Sequence, residues 1–238
     1  SEEQLAVLAT VESAAQAVPV VMGLSGYHLG ETLAWVRTLS QHHLAGLLIP
    51  APHYIRPSQA GLLHWFTALA DASAVPVVIY DIPARTGVQI SLSTLRQLAQ
   101  HPNIRAIKDC GGDSAKTQAL IADGVLQVLA GDDANIFSTV AAGGAGAIAA
   151  TGHVHTRQLV AVITALQHGD LAQAQALWRP LLPLIEAVFA EPNPAPIKAL
   201  LAHQGQLHNE LRAPMTMASA EHTQRIVAIS AKLSAAAA

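Results

Sequence analysis

The chain has 238 residues, 51% of them apolar and 12% charged, with a formal net charge of -3 and one cysteine. That is ample material for a core and unlike a disordered chain, and the slight acidity with no polybasic run argues against nucleic acid or anionic membrane as a partner. No apolar run approaches a bilayer's span, no secretory signal opens the chain, and a lone cysteine excludes an internal disulfide and fits a reducing compartment, which points to the cytoplasm.

The chain opens on Ser1-Glu2-Glu3-Gln4, the form of a capping box, followed by Leu5, Leu8 and Val11 at helical spacing. Six β-branched runs follow, "VPVVMG" (18–23), "AGLLIPA" (45–51), "VPVVIYD" (75–81), "IRAIKD" (104–109), "LQVLAG" (126–131) and "AGAIAAT" (145–151). They are apolar on both faces, the pattern of a parallel sheet covered by helices on both sides. Helical segments separate them. "SQAGLLHWFTALADAS" carries Leu62, Phe66 and Leu69 on one face with Ser58 as N-cap. "SLSTLRQLAQHP" should run until Pro102, and "DSAKTQALIADG" should stop at Gly124. From 156 onward the pattern is helical, interrupted by "EPNPAP" (191–196), with further helices from about Ile197 and over 218–233, and a frayed "SAAAA" tail.

Strands roughly thirty residues apart suit a (β/α)8 barrel. The expected fold is therefore α/β: a TIM barrel over 1–155, then the last barrel helix and a C-terminal helical extension over 156–238. A closed barrel has eight strands. The expectation is thus that two strands and one helix belong in front of Ser1, because an open remnant would expose its edges.

"IRAIKDCGG" sets one amine in a buried strand. The chain has four lysines, at 108, 116, 198 and 232, and only Lys108 falls in a strand pattern. A lysine at a strand end often snorkels to water. At the C-terminal end of a barrel strand, where burial lowers its pKa, it becomes a Schiff-base nucleophile. Tyr80 ends another strand, in "VVIYDIPARTG"; a tyrosine there is usually a core residue with a satisfied hydroxyl, and beside an imine-forming lysine it can instead relay protons. Arg85, in the loop beyond it, is in most such places a solvated surface charge, and at a barrel mouth can grip a carboxylate with two parallel hydrogen bonds.

The ordered stretches "PAPHYIRPSQAGLLHWF", "PVVIYDIPARTG", "IRAIKDCGGD", "LAGDDA", "GGAGAIAATGHV" and "EPNPAPIK" resemble the dihydrodipicolinate synthase and N-acetylneuraminate lyase family of class I aldolases, over about Ser1 to Ile229. The resemblance implies a (β/α)8 barrel with a helical extension, assembled as a homodimer or homotetramer. It implies that Lys108 forms an imine with pyruvate and that Tyr80 shuttles protons. It implies that Tyr54 reaches across a dimer interface to complete the relay, that Arg85 receives the aldehyde's carboxylate, and that the backbone of Ile148 helps hold the pyruvyl group. The substrates would be pyruvate and a small aldehyde, with no metal or organic cofactor. The "RTG" stretch favours a synthase acting on aspartate semialdehyde. A sugar-acid aldolase or dehydratase, or a truncated inactive member with a structural role, remain the alternatives.

Several positions depart from the family. Its Gly-Thr-Thr-Gly-Glu stretch, whose threonine links the two tyrosines, would lie before Ser1; without it the relay is expected to be broken, with Thr86 and Thr151 as the hydroxyls at hand. His53 and Tyr27 stand where synthases often carry tyrosine and asparagine, which implies weak or absent inhibition by lysine. Asp109-Cys110 replaces Glu-Ala, with Cys110 read as a small buried filler. Twelve histidines suggest no metal site, since His42-His43 and the His153/His155 pair lack matching ligands at zinc spacing. Gly143-Gly144-Ala145-Gly146 reads as a helix-to-strand turn and Asp132-Asp133 as an N-cap with a first-turn acid. Trp65, Phe66 and Trp178 read as packing residues.

Overall fold

The structure, a computed structural model, describes residues 2–236. It divides into two compact units, Ser1–Leu129 and Ala130–Ala238.

The first unit alternates helix and strand: α1 (Glu2–Ala15), β1 (Val21–Gly23), α2 (Leu29–Leu39), β2 (Gly46–Pro50), α3 (Gln59–Ala72), β3 (Val77–Asp81), the single turn α4 (Pro83–Thr86), α5 (Leu92–Leu98), β4 (Ile104–Asp109), α6 (Ser114–Asp123) and β5 (Gln127–Ala130). Ser1, and with it the capping box, lies outside the described residues. The caps follow the sequence chemistry. Ser58, Ser91 and Asp113 accept the backbone N–H groups of Gly61, Thr94 and Lys116, and Gly124 closes α6 at φ 66°, where only glycine is at ease. Helix α5 stops at Leu98 rather than running to Pro102. Its end tightens into three-residue bonds, Gln100 N–H to Gln97 O and His101 N–H to Leu98 O, before the proline arrives.

The pairings of β1 with β2, β2 with β3 and β3 with β4 are parallel. Leu47, Ile49, Val77, Ile79 and Ile107 of these strands are buried against Val36, Leu62, Phe66 and Leu95 of the helices. Burying each such side chain is worth about 1.5–3 kcal/mol. β1 departs from the two-faced burial expected of every strand: Val21 and Gly23 are exposed. Among the described residues β1 has a strand neighbour on one side only.

Register carries one irregularity. Val77 pairs with Ile104 but Val78 pairs with Ala106, so the exposed Arg105 is an extra residue in β4. From there the ladder runs Ile79 to Ile107, Tyr80 to Lys108 and Asp81 to Asp109.

The second unit contains α7 (Ile136–Ala141), β6 (Gly146–Ala147), α8 (Thr156–Gln167), α9 (Leu171–Trp178), α10 (Leu182–Phe189), α11 (Ala195–His203) and α12 (Ala220–Ala236). Helix α11 starts at Ala195, inside the proline-rich break, because Pro196 is tolerated in a first turn. The helix expected over 218–233 runs on to Ala236, so the supposedly frayed tail is helical as far as it is described. Trp178, Leu184, Val188, Leu200 and Ile226 form the core of this unit. β6 is shorter than the 145–151 run suggested. Ile148 N–H still bonds Ala130 O, but Ala150 and Thr151 give their N–H groups to the buried Asp133 carboxylate, which turns the chain out of the sheet. Within the first unit, hydrogen-bonded strand neighbours follow chain order from β1 to β5.

Candidate active site

Tyr80 and Lys108 belong to adjacent strands and face each other in register. The Lys108 Nζ lies 4.3 Å from the centroid of the Tyr80 ring, over its face. Both side chains are half-buried. A cation over an aromatic face is attracted by roughly 0.5–2 kcal/mol, more as water is removed. The arrangement places an amine and a phenol where a small molecule can meet both. The bulge preserves it: were Arg105 taken into the ladder opposite Val78, Ile107 would stand opposite Tyr80.

Alternation sends the following residue of each strand to the opposite face. Asp81 and Asp109 are both buried there. Helix α6 covers them. Lys116 Nζ donates to Asp81 Oδ2 at 2.5 Å and to Ile90 O at 3.3 Å, and Thr117 Oγ1 donates to Asp109 Oδ2 at 2.5 Å. Gly111 N–H donates to Asp109 Oδ1 at 2.8 Å. Burial pushes the Asp81 carboxyl above its usual range, the hydrogen bond and charge of Lys116 oppose that shift, and the Asp109 charge adds to it. None of these four residues was singled out as functional from sequence. The available signal was the repeat of one pattern, a polar residue followed by aspartate, at 80–81 and 108–109.

Arg85 lies in the single turn α4 after β3 and is exposed. Thr86 is buried, and its hydroxyl donates to Ile82 O and Val88 O, so it closes the turn rather than serving as a spare relay hydroxyl. Gly87 ends the turn at φ 73°, and a side chain there would meet Arg56 Nε at 2.6 Å. Tyr54 stands on the loop after β2, 87% exposed, with φ 71°. His53 beside it meets the Tyr27 ring edge-on, with centroids 5.4 Å apart.

In the second unit Ile148 is half-buried next to β6, with its N–H taken by Ala130 O. Thr151 is fully buried, and its Oγ1 has no hydrogen-bond partner among the described residues. Asp132 makes no side-chain cap bond. Asp133 is a buried acceptor rather than a solvated first-turn acid. Cys110 is half-buried rather than buried, and its N–H donates to Asp81 O. The glycine turn is as expected: a side chain at Gly144 would lie 2.7 Å from Thr139 O.

Among the described residues no group of three or more His, Cys, Asp or Glu could hold a metal ion, and no helix is long and apolar enough to cross a membrane.

A family profile described as the dihydrodipicolinate synthetase family matches residues 1–233. A 4-hydroxy-tetrahydrodipicolinate synthase of Cutibacterium acnes is 35% identical over 224 residues, covering 94% of this chain and 76% of that protein. The crystal structure of dihydrodipicolinate synthase from Aquifex aeolicus superposes with a TM-score of 0.93 at 28% identity, covering 98% of this chain and 80% of that one. The chloride-inhibited dihydrodipicolinate synthase from Acinetobacter baumannii, complexed with pyruvate, has a TM-score of 0.93 at 27% identity over 98% of this chain and 81% of that one.

Proposed function

The chain belongs to the dihydrodipicolinate synthetase family and is a class I aldolase-type lyase of the 4-hydroxy-tetrahydrodipicolinate synthase kind; from that premise we propose that Lys108 is its Schiff-base lysine. The neutral amine attacks the ketone of pyruvate, and loss of water from the carbinolamine leaves an iminium. The cation draws electrons from the adjacent methyl group, a proton leaves, and an enamine forms. The enamine carbon attacks the aldehyde of aspartate semialdehyde. Cyclisation then expels the lysine as 4-hydroxy-tetrahydrodipicolinate is formed. The lysine itself supplies the electrophilic activation, so these steps call on no metal or organic cofactor.

The observation that carries this reading is the Lys108 amine held 4.3 Å above the Tyr80 ring, on a register pair near the strand ends. The phenol is the group at hand to move protons on and off the carbinolamine oxygen. Arg85, exposed beyond β3, is the candidate for the aldehyde's carboxylate, and the backbone at Ile148 for the pyruvyl group. Tyr54, exposed as it is, completes a relay only when a second copy covers it, which favours a homodimer or homotetramer. The parallel sheet and the helices from 156 onward fit a (β/α)8 barrel followed by a C-terminal extension. A water-soluble biosynthetic role fits the cytoplasm.

Borohydride added with pyruvate should leave a reduced adduct on Lys108, seen by peptide mass, and none in Lys108→Ala. An adduct on another residue, or an unchanged mass, overturns the assignment.

A further inference from the structure

The opposite face of the same strand pair carries four polar side chains that the proposed chemistry does not use. We propose that Asp81, Lys116, Asp109 and Thr117 are a positioning clamp that fixes Tyr80 and Lys108 from behind the sheet; this rests on Lys108 and Tyr80 being the reacting groups.

The geometry is specific. Each reacting residue is followed by an aspartate, each aspartate is buried, and each is held by a neighbouring residue of one helix. Asp81 meets Lys116 and Asp109 meets Thr117, so adjacent positions of α6 grip adjacent strands. The three charged side chains converge on Gly111: a methyl group there would lie 2.7 Å from Lys116 Nζ and 3.0 Å from both Asp109 Oδ1 and Asp81 Oδ2. Backbone bonds join the same knot, from Cys110 N–H to Asp81 O and from Ile90 N–H to Asp81 Oδ1 at 3.4 Å. Asp113 caps α6 through Lys116 N–H, so the first turn that presents both partners is itself tied down.

Stability is a poor reason for such a knot. A buried ion pair between groups 1% and 5% exposed loses nearly as much to desolvation as it gains, and apolar replacements of like volume are commonly neutral. What the knot supplies is direction. An aspartate locked on one face fixes the twist of the backbone at its own Cα, and thereby the exit vector of the side chain one residue earlier on the other face. Two such locks side by side set the spacing of amine and phenol across the pair. Misplacement of reacting groups by about an ångström is enough to cost on the order of a hundredfold in rate.

The sharpest test is Thr117→Val, which keeps the shape of the side chain and removes the donor to Asp109, with Thr117→Ser as its rescue. The full chain is assayed for kcat and pyruvate KM, and for the rate of borohydride-trapped adduct. The clamp predicts that Thr117→Val lowers kcat and the trapping rate by about ten- to a hundredfold. It also predicts a pyruvate KM within about twofold of wild type, since uniform binding is untouched, and restoration of most of the loss by Thr117→Ser. Lys116→Met combined with Asp81→Leu is the second variant and should behave like Thr117→Val while its melting temperature stays near wild type. Full kcat in Thr117→Val, or a loss that Thr117→Ser does not restore, overturns the clamp and leaves Lys108 in place as the nucleophile. Wild-type protein that traps no pyruvate overturns the Lys108 assignment and the clamp with it.

Discussion

The phenol at Tyr80 and the carboxylate at Asp81 are neighbours in sequence and opposites in environment, and each yields a separate expectation. Tyr80→Phe keeps the ring beneath the Lys108 amine and removes only the hydroxyl. It should lower kcat by roughly 10²–10⁴-fold, as loss of a positioned proton carrier does, while reductive trapping of pyruvate still marks Lys108. Steady-state rates and adduct mass on one preparation check both halves. Asp81→Asn leaves the Lys116 ammonium buried without its counter-charge, which should cost about 3–5 kcal/mol in urea unfolding. Lys108 drew notice in the sequence because a lysine amid Ile104, Ala106 and Ile107 must either snorkel to water or serve chemistry, and Tyr80 because it ends a neighbouring strand pattern. Lys116 was not: in "DSAKTQALIADG" it reads as one more polar position on a helix. Its burial depends on Asp81 waiting beneath it, 35 residues earlier in the chain.

At the scale of elements, capping chemistry was the most readable part. Ser58 caps α3 with its hydroxyl and Gly124 closes α6 through its left-handed backbone, both as the sequence placed them, and Asp113 proves to cap α6 as well, by accepting the Lys116 N–H. Asp113→Ala should destabilise the protein by about 1 kcal/mol by freeing that donor, measured as a fall in the chemical denaturation midpoint. Strand limits read less well. β6 was expected through 151 from its apolar composition, but the carboxylate of Asp133, beyond the reach of any local pattern, takes the N–H groups of Ala150 and Thr151. Helix-to-helix contacts bring one ionisable group into play. His155, just before α8, is buried, and its Nε2 lies 3.0 Å from Ser230 Oγ of α12. Burial pushes its pKa below the ordinary 6.5, and a hydrogen bond to Gln158 only partly offsets that. The unfolded chain therefore binds the proton more readily. The stability contributed by neutral His155 is full above pH 6.5 and is lost as pH falls below that value toward the lowered native pKa. The melting temperature should drop from about pH 8 to about pH 5, and the slope should shrink in His155→Gln. An unchanged slope in that variant would assign the acid sensitivity to other groups.

For the molecule as a whole, the alternation of strand and helix and the helical run from 156 were plain in the periodicity, while the state of assembly was not written there. Tyr54, 87% exposed on a loop with a left-handed backbone, is an unusual place for a large aromatic ring. Light scattering should find the protein as a dimer or larger, and Tyr54→Ala should shift it toward the monomer with loss of turnover; a wild-type monomer that turns over at full rate contradicts this. The extra residue in β4 has a consequence for how such a protein can change. Arg105 is the residue the ladder steps over, since Ile104 and Ala106 on either side of it pair with the consecutive Val77 and Val78. Strike that single codon and the pairing runs unbroken from Val77 beside Ile104 to Tyr80 beside Lys108, with amine and phenol still partners. The bulge is thus a place where the strand pair can lose a residue without changing which side chains meet at its end, and a chain lacking Arg105 should still trap pyruvate on Lys108.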